Sequence, residues 1–243
     1  MNLKIGIAGI SGRIGQSLVG VIEKDKNTTV SCGLVSQHSS FTLNGIEINS
    51  KCGKAHIWID FSTPNAFEKV LSHCLKNNTP LVSGTTGLSK KHYNDLENAS
   101  AHIPILWASN FALSINLIRH LLSNYTKLVD TKVKIAETHH VHKADKPSGT
   151  AITLAKTIKP HGMIKRLDED NFTMDDIEIV SIREGEVAGI HIIELDNDSE
   201  NLSITHTAKD PIIFAQGALD VAKWLVTQEN GFYTMTDFIE HLS

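Results

Sequence analysis

Ile5-Gly6-Ile7-Ala8-Gly9-Ile10-Ser11-Gly12-Arg13-Ile14-Gly15 decides how the first half of the chain is read. An apolar run over residues 3–8 ends in a G-x-x-G-x-x-G pattern. The residues beyond it put Ile14, Leu18, Val21 and Ile22 on one side at helical spacing. The order is therefore strand, glycine turn, helix. Gly9 permits the tight turn, Gly12 lets backbone approach a pyrophosphate, and Gly15 lets the helix pack close to the sheet. N–H groups at the helix start, with the positive end of its dipole, favour phosphate oxygens. A glycine pattern by itself is equally compatible with a plain loop. The strand, turn and amphipathic helix in succession favour a dinucleotide cradle.

Outward from this motif, strands and helices alternate. Residues 30–35 and 55–61 read as buried strands, and residues 38–54, polar and irregular, as loops or a hairpin. Thr63 caps a helix with Pro64 at its first position, where a missing N–H costs nothing. Residues 80–83 and 103–108 are short strands around a helical run at 89–101. This alternation predicts right-handed crossovers and a doubly wound parallel sheet. Gly84-Thr85-Thr86-Gly87 and Ala108-Ser109-Asn110-Phe111 each follow a strand, at the carboxyl edge where open α/β sheets bind ligands. Singly, each is more often a turn or a cap; together they fit a nicotinamide pocket.

The second half reads differently. A helix over 113–129, a strand at 132–136 and a helix at 150–158 are followed by three strand-like runs with no helix between them, 177–182, 189–195 and 202–207. They predict a small mixed or antiparallel sheet, hence a second domain joined near Ala112 and Lys209. Asp210-Pro211 starts a last helix with Phe214, Ala218, Val221, Ala222 and Leu225 on one face.

The 243 residues, 41% hydrophobic and 21% charged, suit a globular chain with a real core. A net charge of -4 offers nucleic acid no basic surface. Cys32, Cys52 and Cys74 form no C-x-x-C, which argues against a disulfide framework or thiolate zinc site. With no signal-like segment and no apolar run of spanning length, the expectation is a soluble, cytoplasmic protein.

Glu137-Thr138-His139-His140-Val141-His142-Lys143-Ala144-Asp145-Lys146-Pro147-Ser148-Gly149-Thr150-Ala151 concentrates the chemistry. It follows a strand and ends at a helix start. That start would present the N–H groups of Gly149 and Thr150, with Ser148 or Thr150 as hydroxyl donors, to a carboxylate or phosphate. Lys143 and the histidines add positive charge, and a histidine can deliver a proton near neutrality. A solvated loop is the bland alternative for any one of these histidines. A metal site is another, but the spacing is not H-E-x-x-H and no acidic or cysteine cluster completes a shell, so no metal is expected.

These residues resemble the 4-hydroxy-tetrahydrodipicolinate (dihydrodipicolinate) reductase family. The family pattern E-x-H-H-x-x-K-x-D-x-P-S-G-T-A is matched in full from Glu137 to Ala151, and G-x-x-G-R-hydrophobic-G from Gly9 to Gly15. G-T-T stands at Gly84-Thr85-Thr86 and S-N-F at Ser109-Asn110-Phe111. The resemblance implies a Rossmann-like α/β domain, residues 1–111 and 210–243, interrupted by an α+β substrate and oligomerisation domain with a mixed sheet, residues 112–209. It implies a homotetramer acting on a cyclic dicarboxylate with NADPH or NADH, and no nucleic-acid or membrane partner. By position, His139 would be the catalytic acid/base and Lys143 the second catalytic residue. His140, Lys143, Gly149 and Thr150 would hold the substrate carboxylates. Gly9, Ile10, Ser11, Gly12, Arg13 and Ile14, then Gly84, Thr85 and Thr86, then Ala108, Ser109, Asn110 and Phe111 would contact the cofactor.

One departure concerns the ribose. The family often has an acid after the second strand, where this chain has Val35, Ser36 and Gln37. Nothing there repels a 2′-phosphate, and Ser36 can donate to one, with Arg13 beside the glycine turn. The expectation is use of both cofactors with a modest NADPH preference. Two other functions compete. One is another enzyme on the same first domain, such as a homoserine- or aspartate-semialdehyde-type dehydrogenase; the latter needs a cysteine in the second domain, yet all three cysteines precede residue 75. A non-enzymatic cofactor sensor has no need of the constellation His139, Lys143 and Ser148.

Overall fold

The computed structural model describes residues 2–35, 41–43 and 45–242. The chain divides into two compact units, one of Met1–Leu113 with Pro211–Ser243 and one of Ser114–Asp210. In the first, β1 (Leu3–Ala8), α1 (Arg13–Lys24), β2 (Thr28–Leu34), β3 (Phe41–Leu43), β4 (Ile46–Asn49), β5 (Ile57–Asp60), α2 (Pro64–Lys76), β6 (Leu81–Ser83), α3 (Lys90–Ser100) and β7 (Pro104–Trp107) follow one another. With β14 (Gly231–Tyr233) from the end of the chain, the strands lie in the order β14-β7-β6-β5-β1-β2-β4-β3, with every pairing parallel except β3 with β4. The polar stretch 38–54 thus contains a hairpin whose second strand extends the sheet.

Strand residues alternate between two cores, as a sheet covered on both faces requires. Ile5, Ile7, Ile57, Ile59, Val82 and Leu106 pack with α1 and the carboxyl-terminal helices. Trp58, Leu81 and Ile105 pack with Phe67, Val70 and Leu96 of α2 and α3. The Thr63 hydroxyl accepts the Ala66 N–H at 3.4 Å with Pro64 next in line, and Ser89 and His92 form a reciprocal capping box. The chain moves from β1 to β2 on one side, then resumes at β5 on the other. The switch point of the sheet therefore lies between β1 and β5.

The second unit holds most of α4 (Leu113–Leu128), then β8 (Lys132–His139), α5 (Gly149–Ile158), β9 (Ile164–Arg166), β10 (Asn171–Met174), β11 (Ile177–Arg183), β12 (Ile190–Asp196) and β13 (Asn201–Thr207). Its sheet is mixed, in the order β13-β12-β8-β11-β10-β9, with β8 parallel to β11 and antiparallel to β12. β9 and β10 lie outside the expected runs, and β8 continues three residues beyond Ala136. Ile135, Ile179, Ile193, Leu154 and Leu122 fill the core beneath the sheet. The chain then returns to the first unit through α6 (Ile212–Leu225), β14 (Gly231–Tyr233) and α7 (Met235–Leu242). Among the described residues no helix is long and apolar enough to cross a membrane.

Candidate active site

The glycine cradle sits at the switch point of the first sheet. Gly9 has φ +76°, and its N–H bonds the Leu34 carbonyl at 3.1 Å. A Cβ at Gly9 would stand 2.2 Å from the Phe61 carbonyl oxygen, and one at Gly15 would stand 2.2 Å from that of Gly9. A side chain at either place would break the turn or lift the helix. Gly12 is the N-cap of α1 and brings no side chain to the first-turn N–H groups, an arrangement that fits the pyrophosphate of a dinucleotide. A groove of about 690 Å³ opens beside it, shared by Gly9, Ser11 and Gly12 with Val35, Phe61 and Lys69.

The structure distributes the other expected cofactor residues along the same carboxyl edge, after β6 and β7. Ile10 is fully buried, so only its backbone faces the turn, and Ile14 packs against the core. Arg13, Thr86 and Ser109 are exposed, whereas Ala108 and Phe111 are buried. Asn110 Oδ1 accepts the Ala112 N–H at 2.8 Å. Ser36 lies outside the described residues.

Asp60 was not anticipated. This buried carboxylate ends β5 and accepts the hydroxyls of Ser83 at 2.9 Å, Thr85 at 2.7 Å and Ser62. The Thr85 hydroxyl also accepts the Ser62 N–H at 2.9 Å. Burial pushes the Asp60 carboxyl above the usual range despite these donors. Thr85 is thus committed to tying the loop after β6 to the loop after β5. The topological rule alone points to Phe61 and Ser62, since they follow the strand next to β1.

In the second unit, Glu137 and His139 lie two residues apart on β8 and so share a face. Both are buried, and His139 Nδ1 donates to Glu137. The neighbouring strands complete the centre. Arg183 of β11 stands opposite His139, and His191 of β12 opposite Glu137. Arg183 donates to Glu137 Oε1 at 3.0 Å and to the Lys143 carbonyl at 3.2 Å. Burial by itself would raise the Glu137 carboxyl; His139 and Arg183 hold it at about 2, ionised. With Nδ1 engaged by Glu137, Nε2 is the remaining ring nitrogen of His139. It abuts the backbone of Gly189, where a Cβ would come within 3.0 Å of it.

Lys143 Nζ donates to Asp145 at 2.7 Å, and the Gly149 N–H donates to the same carboxylate. Burial opposes ionisation of Asp145, but these donors hold its carboxyl below the usual range. One carboxylate can therefore be satisfied jointly by Lys143 and the start of α5. Ser148 is placed differently from the expected hydroxyl donor. It is buried, its Oγ caps α5 by accepting the Ala151 N–H at 3.2 Å, and it pairs with His191 Nε2 at 3.2 Å. Its own N–H bonds Glu137 at 3.2 Å. His140 is half-buried, and His142 is exposed beside Glu186 at 3.8 Å.

Of the three histidines close in sequence, His140 and His142 lie with ring centroids 6.2 Å apart, while His139 turns to the buried centre. There Glu137, His139 and His191 bring donor atoms within 4.8 Å of one another, an acidic-histidine cluster that spacing did not reveal. The Arg183 guanidinium on the same carboxylate opposes a second cation there.

A doubly wound sheet with a glycine cradle at its switch point, in a chain that also carries a buried carboxylate–histidine centre and a lysine, defines an oxidoreductase using a nicotinamide dinucleotide. The chain belongs to the dihydrodipicolinate reductase family: the model of that family's N-terminus matches residues 3–111 and that of its C-terminus residues 114–239. The 4-hydroxy-tetrahydrodipicolinate reductase of Rickettsia rickettsii is 37% identical over 239 residues, covering 97% of this chain and 98% of the relative. That of Bdellovibrio bacteriovorus is 37% identical over 238 residues, covering 98% and 96%. Among solved structures, dipicolinate-bound dihydrodipicolinate reductase from Paenisporosarcina sp. TG-14 superposes with a TM-score of 0.81 at 21% identity, over 96% of this chain and 98% of that one. A probable dehydrogenase from Thermotoga maritima shares the fold at a TM-score of 0.63 and 11% identity.

Proposed function

We propose that this protein reduces 4-hydroxy-tetrahydrodipicolinate, by way of dihydrodipicolinate, to tetrahydrodipicolinate in the diaminopimelate route to lysine. NADPH or NADH is the reductant. The observation that carries this reading is one continuous segment of the second unit, in which a buried carboxylate–histidine pair is followed by Lys143 and a capped helix start. Donors for a carboxylate and a proton source stand together there, as the reduction of a cyclic dicarboxylate requires.

The nicotinamide ring, when bound, supplies a hydride. Residues 1–111 and 210–243 form the cofactor domain, with Gly9, Ser11 and Gly12 receiving the pyrophosphate. The loops Gly84-Thr85-Thr86 and Ala108-Ser109-Asn110-Phe111 serve the nicotinamide half. Residues 112–209 form the substrate domain. Lys143, His140, Gly149 and Thr150 hold the substrate carboxylates, and Ser148 acts through the cap that fixes the start of α5.

Hydride addition to a conjugated imine leaves an enamine carbon that takes a proton. His139 delivers it from Nε2, while Glu137 stabilises the imidazolium and fixes the ring. The Lys143 ammonium, four residues on in the same segment, offsets negative charge as it develops. The same reading carries with it a cytoplasmic homotetramer whose partners are small molecules.

Pyridine-2,6-dicarboxylate tests the site. It presents the same two carboxylates on a planar ring without a reducible imine. Calorimetry on the NADPH-loaded protein should show binding, weakened at least about tenfold by Lys143→Ala and by Thr150→Val, or roughly 1.4 kcal/mol each. Unchanged affinity in both variants contradicts the proposed carboxylate site.

A further inference from the structure

We propose that Lys69, on α2, is the cation that recognises the 2′-phosphate of NADPH. The proposal rests on the nicotinamide-dinucleotide reading of the first unit and adds a residue to it. In a doubly wound sheet the adenosine ribose lies just past the carboxyl end of the second strand. That strand is β2, and from residue 31 to residue 50 the sequence contains no lysine or arginine. A charge partner for a 2′-phosphate has to come from another element, and α2 supplies one.

Asn65, Ala66 and Lys69 line the same groove as Gly9, Ser11 and Gly12 of the cradle and Leu34 and Val35 at the end of β2. They recur at helical spacing, so one face of α2 forms that wall. Lys69 is exposed and has no hydrogen bond or ion pair among the described residues. Its neighbour Glu68 is turned to Lys91 and His92 instead, at 3.1 and 3.0 Å.

The charge of Lys69 also reaches a thiol beyond the neighbouring strand β4. Burial pushes the Cys52 thiol up to about 11, and the positive charge of Lys69 acts against that rise. Cys52 lies just beyond β4, the strand that pairs with β2 through Gly33↔Ile48 and Leu34↔Asn49. Lys69 thus shares one groove with Leu34 and Val35 at the carboxyl end of β2 and acts electrostatically on the segment after β4. A flexible lysine is a suitable point charge for a phosphate. Being exposed, it is screened by solvent and salt, so the discrimination it provides is modest.

Equilibrium binding of adenylates separates this role from catalysis. Adenosine 2′,5′-bisphosphate and adenosine 5′-monophosphate are titrated calorimetrically into the full chain at low salt, as wild type, Lys69→Ala and Lys69→Arg. Lys69→Ala should weaken the bisphosphate about tenfold, roughly 1.4 kcal/mol, and change the monophosphate by less than about twofold. Lys69→Arg should restore most of the loss, and raising the salt should shrink the difference between wild type and Lys69→Ala. Equal weakening of both nucleotides, or no change in either, overturns the assignment while leaving the dinucleotide groove intact. A wild-type protein that binds neither nucleotide overturns the groove itself and the role of Lys69 with it.

Discussion

Glu137 and His139 gain their chemistry from being on a strand. Two residues apart, they face the same way, and the carboxylate meets the imidazole with no loop to order. Removing the proton source or the ammonium should be costly, so His139→Ala and Lys143→Ala should each lower kcat at least about 100-fold. The two should differ in stability. His139 is buried against Glu137, so its loss leaves polar groups unpaired and should destabilise the fold by about 1–3 kcal/mol, whereas Lys143→Ala should remain near wild type. Steady-state kinetics with urea unfolding checks both, and turnover near normal in either variant removes that residue from the mechanism.

His191 sets a pH dependence. Burial, reinforced by positive charge on His139, pulls it down to about 4, against about 6.5 for an unfolded histidine. The unfolded chain then binds this proton more tightly than the fold does, so stability rises with pH between about 4 and 6.5 and is lost on acidification. Glu137, at about 2 when folded, adds a loss in the same direction below about 4.5. Urea unfolding should show the wild type weaker at pH 4.5 than at pH 7.5, with about 2 kcal/mol of that difference absent in His191→Gln. An unchanged difference in the variant contradicts the assignment. At this scale the sequence displayed Glu137, His139 and Lys143 because they fall in one segment. His191 and Arg183 were invisible because strand register, not spacing, brings them to the same carboxylate.

At the scale of elements, α5 depends on Ser148. Its hydroxyl both caps the helix and meets a buried histidine. Ser148→Ala should cost about 1–2 kcal/mol by thermal or urea unfolding, and it should weaken pyridine-2,6-dicarboxylate through a displaced helix start. A variant as stable as wild type shows that the cap contributes nothing. The helix start at Thr63 was legible because Thr63 and Pro64 stand together ahead of apolar periodicity, whereas the Ser89 cap was hidden by the polar Lys90, Lys91 and His92 that follow it. β8 was read three residues short: its buried face continues from Val133 and Ile135 into Glu137 and His139, and polar residues on an inward face hide the alternation. β9, β10 and β14, at three or four residues each, are too brief for periodicity to register.

At the scale of the molecule, alternation of strands and helices foretold the doubly wound sheet, and the change of pattern after residue 112 foretold a mixed sheet of another kind. The sequence could not show that α2 and the loop after β5 line the groove beside the glycine turn, because they join it only through strand order. The central claim, that this chain reduces a cyclic imine dicarboxylate with a nicotinamide hydride, has a direct test. A dihydrodipicolinate synthase is mixed with this protein, pyruvate, aspartate semialdehyde and NADPH or NADH, and nicotinamide absorbance is followed. The account predicts oxidation that requires both enzymes and falls at least about 100-fold with Lys143→Ala. Absence of synthase-dependent oxidation with both cofactors, from folded protein that binds them, would contradict it.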